Sequence, residues 1–128
     1  MLTGLSIRDV VLIEALDLEF ERGLGVLTGE TGAGKSILLD ALGLALGARA
    51  DSALVRAGAE RAQVTASFDA PEAVSALLLE NDIALEVGEP LLIRRSVKRD
   101  GGSKAFVNDQ PCSAALLREL GSMLVEIH

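Results

Sequence analysis

Tryptophan and tyrosine are missing from this chain, and phenylalanine occurs only three times. Its core therefore has to be assembled from Leu, Val, Ile and Ala. A single cysteine, Cys112, excludes an internal disulfide and a cysteine-rich metal site. Basic residues are outnumbered, 12 Lys and Arg against 19 Asp and Glu, for a net charge of −7. A free-standing nucleic-acid binder is usually basic, so the domain alone is not expected to grip DNA strongly, although this does not exclude a local patch. Residues Met1–Gly4 lack a basic stretch leading into an apolar core, so no secretory signal is read. No apolar run approaches the roughly 20 residues of a membrane span. A cytoplasmic location and no membrane partner are the resulting expectations. What is present, 128 residues with 49% hydrophobic and 24% charged, describes one globular domain and excludes disorder.

The spacing predicts an α/β chain. Leu16, Leu18 and Phe20 alternate with Asp17, Glu19 and Glu21, the period of a half-buried strand. A turn at Gly23-Leu24-Gly25 leads to a short apolar strand, Val26-Leu27-Thr28. From Lys35 to Leu46 apolar residues fall nearly all round a helix, which is expected to be buried, with Gly47 as its stop. Residues 48–60 read as a loop, and Val64, Ala66 and Phe68 as a strand. Pro71 opens a helix carrying Val74, Leu77 and Leu78. Two strands, Leu91–Arg99 and Lys104–Val107, are joined by Asp100-Gly101-Gly102. Ser113 is expected to cap a last helix that stops at Gly121, with Met123–Ile127 as a final strand.

The strongest chemical signal is Gly29-Glu30-Thr31-Gly32-Ala33-Gly34-Lys35-Ser36, a full match to G-x-x-x-x-G-K-[ST]. Glycines let successive backbone N–H groups turn inward around an anion. The helix that follows adds its positive dipole end. Lys35 is placed to reach the terminal phosphates of a nucleotide, and the Ser36 hydroxyl to bind Mg²⁺. A chance glycine turn is the competing reading. With Gly at roughly 7% of residues, two fixed glycines followed by Lys and Ser arise by chance in well under about one such chain in a hundred. The flanking strand and helix are also what the mechanism needs.

Hydrolysis needs a second, acidic site, usually an apolar strand ending in Asp with a catalytic Glu beside it. No such run occurs here. Glu126 reads as the solvated face of a strand, Glu30 as a variable motif position, and the terminal His128 is assigned nothing. The chain is expected to bind nucleotide without turning it over alone.

The phosphate loop cannot by itself separate ATPases from GTPases and kinases. Its surroundings resemble SMC-type ATPase heads: Asp40-Ala41-Leu42 and Leu46-Gly47, Leu54-Val55-Arg56-Ala57-Gly58, then Arg94-Arg95 leading to Gly102-Ser103-Lys104-Ala105-Phe106-Val107-Asn108. Within that group, Gly43-Leu44, Gly47-x-Arg49-Ala50 and the closing Val125-Glu126-Ile127-His128 are similar to the RecN family of DNA double-strand-break repair ATPases. The resemblance implies an α/β, ABC-type head with a mixed sheet with antiparallel strands around a central phosphate-loop helix. It further implies that residues 1–128 are the N-terminal lobe, with the coiled coil and the C-terminal half absent. ATP and Mg²⁺ are the implied cofactors. The implied partners are the C-terminal half, a second head in a homodimer, and DNA, in a nucleoid-associated setting. Another P-loop enzyme, or an assembly module with a structural nucleotide, are the alternatives. One departure is that Val10-Val11-Leu12-Ile13 is apolar where SMC relatives place a basic-polar pair for adenine.

Two secondary expectations remain. Arg56 matches an arginine tied to DNA-linked ATPase control in the SMC family, with a surface or packing role as the alternative. Arg94, Arg95, Lys98, Arg99 and Lys104, with Asp100 the one acid among them, give a local balance of +4. They are candidates for contact with DNA phosphates, against a solvated hairpin face.

Overall fold

The computed structural model describes residues 2–19, 32–49, 51–69, 72–83 and 89–127, and at 32–36 and 125–127 the backbone alone. Six strands form one sheet: β1 (Leu2–Val10), β2 (Ile13–Glu19), β3 (Arg61–Phe68), β4 (Leu91–Lys98), β5 (Ser103–Val107) and β6 (Gln110–Cys112). Their order is β2-β1-β3-β4-β5-β6, and every described pairing is antiparallel. The expected strand at 26–28 lies outside the described residues. Three helices, α1 (Gly32–Ala45), α2 (Glu72–Glu80) and α3 (Ala114–Ile127), complete the chain.

Alternation along the strands makes two unlike faces. Ile7, Val64, Arg95, Ala105 and Cys112 stand in register across one face, and Leu5, Ala66, Ile93 and Val107 form the next row. This face meets the helices through Ala41, Leu44 and Ala45 of α1, Val74 and Leu78 of α2, and Leu116, Leu117, Leu120 and Leu124 of α3. With aromatics so few, the work falls on aliphatic side chains, each worth about 1.5–3 kcal/mol when fully buried. Phe68 is the one buried aromatic among the described residues. The opposite face is polar, carrying Ser6, Arg8 and Asp17 at one side and Arg94, Ser96, Lys98 and Lys104 at the other.

The structure adds a strand and a turn to the expected pattern and corrects it at two helices. The first strand, Leu2–Val10, is not evident in the sequence, because its buried residues Leu2, Leu5, Ile7 and Val10 are unevenly spaced, with a register shift between Leu2 and Gly4 and Asp9 at φ 53°. Residues Val10-Val11-Leu12-Ile13 form the β1–β2 turn, with Val11 at φ 51° and Leu12 84% exposed. Helix α1 buries one side only: Leu39 is 46% exposed and Leu42 is half-buried. Finally, α3 continues through Gly121 to Ile127, so Met123–Ile127 is helix and not strand. Gly121 is there for close approach: a Cβ on it would stand 3.0 Å from the Leu46 Cβ. It is a notch for α1's end, not a stop. Ser113 does cap α3, its Oγ accepting the Leu116 N–H at 3.1 Å.

Candidate functional site

Residues Gly32 to Ser36, the second half of the phosphate-loop motif, form the opening turns of α1. Gly29, Glu30 and Thr31 lie outside the described residues. A helix start leaves its first N–H groups without intrahelical partners and concentrates the positive end of the dipole there. The helix opens at Gly32, ahead of the expected start near Lys35, so Gly32 to Ser36 are the residues at this end.

Placement of that helix is governed from its far end. Gly47, at φ +97°, closes α1 with paired bonds from Gly47 N–H to Leu44 O (3.2 Å) and from Ala48 N–H to Gly43 O (3.0 Å). Arg95 reaches up from β4 and donates to Leu44 O at 3.1 Å and Ala48 O at 2.9 Å. Arg118 of α3 donates to Gly47 O at 3.2 Å. Two guanidinium groups therefore sit at the negative end of the helix dipole and tie α1 to both the sheet and α3. Sequence reasoning misses both roles. For Arg95 a signal exists: it occupies the buried phase of the alternation Leu91, Ile93, Arg95, Val97.

The same alternation divides the basic hairpin. Arg95 is 3% exposed and faces the helices, so it is no part of any outer basic surface. Arg94, Lys98 and Lys104 face the other way, and Arg61 joins them opposite Lys98. Arg94 stands 4.4 Å over the Phe106 ring and 3.5 Å from Asp109. No ion pair engages Arg61, Lys98 or Lys104 among the described residues. Arg99 lies past the strand, its side chain donating to Arg56 O at 3.4 Å. At the sheet's other side Arg8 grips Asp17 at 2.9 and 3.1 Å, and that bond, helped by Ser6, lowers the Asp17 carboxyl below its ordinary range.

Arg56 is held by the β1–β2 region. Its N–H donates to Asp9 O at 2.8 Å, and its guanidinium lies 3.7 Å from Asp9 and 4.0 Å from Glu14. Long, half-exposed pairs of this kind contribute little stability. The backbone bond fixes the loop, and the side chain is only loosely engaged.

An antiparallel sheet with helices on one face, and a phosphate-loop helix packed against it, is the architecture of SMC-like, ABC-type ATPase heads. The similarity to solved structures agrees. An SMC ATPase characterised for ATP-driven dimerization and DNA-stimulated activation superimposes with a TM-score of 0.74 at 21% identity, covering 95% of this chain and 79% of that one. The SMC head domain from Thermotoga maritima gives 0.62 at 20% identity over 93% and 41% of the two chains. Residues 5–110 match the AAA domain family, and the chain belongs to that family. Within it, the chain is similar along its whole length to DNA repair protein RecN, at 44% identity for the Xylella fastidiosa (strain Temecula1) protein and 42% for that of Bacillus subtilis (strain 168). It spans 23% and 22% of the lengths of these relatives.

Proposed function

We propose that the chain is the ATP-binding N-terminal lobe of an SMC-like head that acts in DNA double-strand-break repair and recombination, in the cytoplasm on the nucleoid. The observation that carries this reading is the eight-residue phosphate loop whose last five residues open a helix seated on β1, β3 and β4. Backbone N–H groups of Gly29, Glu30, Thr31, Gly32, Ala33 and Gly34 cradle the phosphates. Lys35 pairs with the terminal phosphates, and Ser36 ligates Mg²⁺, which neutralises charge on the phosphate oxygens when bound.

Catalytic carboxylates come from the C-terminal half, and two heads close over ATP. The half-open side of α1 around Leu39 and Leu42 supports the idea that more protein packs there. Arg56 is the proposed DNA-linked control residue. Arg94, Lys98, Arg99 and Lys104 are the proposed contacts to DNA phosphates, with Arg95 removed from that set.

The test is Lys35→Ala in the assembled head. A charge-assisted hydrogen bond is worth about 1.5–3 kcal/mol, so ATP affinity should fall about 10- to 100-fold. Turnover should cease. Unchanged affinity and unchanged turnover would overturn the assignment.

A further inference from the structure

We propose that the notch between β5, the end of β6 and the start of α3 is a binding site for a small tetrahedral oxyanion such as phosphate, with Arg95 as its cationic floor. β6 pairs with β5 only as far as Ala105. Beyond that point the chain turns away into α3 and leaves a cavity of about 560 Å³ beside Ser103 and Lys104. Arg95, Ser103, Lys104, Phe106, Cys112 and Ser113 are among its lining residues.

The charge balance in this notch points to a missing anion. Arg95 is 3% exposed, and its three hydrogen bonds go to neutral oxygens: Leu44 O, Ala48 O and the Ser103 Oγ at 3.3 Å. Its Nε has no partner. No carboxylate pairs with it among the described residues. Burial disfavours its charge, and Arg118 stands close enough to disfavour it further. Cys112 does not compensate, because burial pushes its thiol up and Arg95 only partly offsets this. A buried cation without a counter-ion costs several kcal/mol. An oxyanion here would stand beside the Arg95 guanidinium, which lines the notch and whose Nε finds no acceptor within the protein. It would also meet the Ser103 and Ser113 hydroxyls, which serve as acceptors toward Arg95 and Leu116 and keep their own protons to donate.

This site is separate from the phosphate loop, and Cys112 reports on it locally. The experiment measures iodoacetamide alkylation of the Cys112 peptide by mass spectrometry in the full chain, with inorganic phosphate added at matched ionic strength. Occupancy shields the thiol and further disfavours the thiolate, so at twice the dissociation constant the rate should drop about threefold. Protection should persist in Lys35→Ala, which separates it from nucleotide-site binding. Ser103→Asp brings its own carboxylate next to Arg95. It should raise the melting temperature and make Cys112 alkylation insensitive to phosphate.

Absence of phosphate protection in the unsubstituted chain would overturn the proposal. So would equal protection in Ser103→Asp, the mark of non-specific binding. Slow alkylation that ignores phosphate would show the notch filled by another part of the chain, which overturns it equally.

Discussion

Gly47 shows how much one residue without a side chain decides. Its φ of +97° is open to glycine and costs another residue about 1–2 kcal/mol. Space is a second constraint, since a Cβ there would stand 2.6 Å from Arg118 Cγ and 2.7 Å from Arg118 N. A backbone nitrogen cannot step aside as a side-chain tip can. Gly47→Ala is therefore expected to destabilise by more than about 2 kcal/mol, read as a lowered urea midpoint with an unchanged slope. Gly58→Ala is the control. It shares a positive φ of +90° but has nothing within 4 Å, and so should lose only the conformational part. Equal losses in the two variants would show that the α1–α3 contact does not constrain Gly47.

At the scale of elements, the sheet's outer face carries the prediction about DNA. Asp17 on β2 is separated from β4 by two intervening strands, about 14 Å at 4.8 Å per strand, beyond the Debye length at ordinary salt. Acidic β2 residues therefore do not neutralise Lys98 and Lys104, and Asp17 is already taken by Arg8. Changing Lys98, Arg99 and Lys104 together to Ala in a complete head should leave folding and ATP affinity intact. The slope of log K for DNA against log salt should become shallower by up to about 0.9 for each phosphate that the hairpin no longer neutralises. An unchanged slope would make the hairpin a solvated face. Arg95→Ala is expected to behave differently. It strips the end of α1 of two hydrogen bonds and should lower stability by about 2 kcal/mol or more, whether or not DNA is present.

At the scale of the whole molecule, the chain is about a quarter as long as the relatives it matches, and the proposed function assigns hydrolysis to a C-terminal half. The 128-residue chain alone is expected to show no measurable ATPase activity, and adding the C-terminal half should restore Lys35-dependent turnover. Robust hydrolysis by the chain alone would mean that a catalytic carboxylate lies within it.

Local chemistry wrote much of this protein directly. The phosphate-loop motif, the alternation of β3 and β4, the Asp100-Gly101-Gly102 turn, the Ser113 cap and the Gly47 stop depend on neighbours within a few residues. Such features are legible because backbone sterics and side-chain period act at short range. Tertiary structure decided the rest. Gly47 and Gly121 look alike in a string, yet one ends a helix at a left-handed φ and the other lets Leu46 approach α3. Arg94 and Arg95 are adjacent and identical, but the pleat sends one toward Phe106 and solvent and the other under the end of α1. Neither distinction exists until the sheet has a covered side. Which face of a strand is buried, and what a gap in a helix is for, is settled by the element that packs across it.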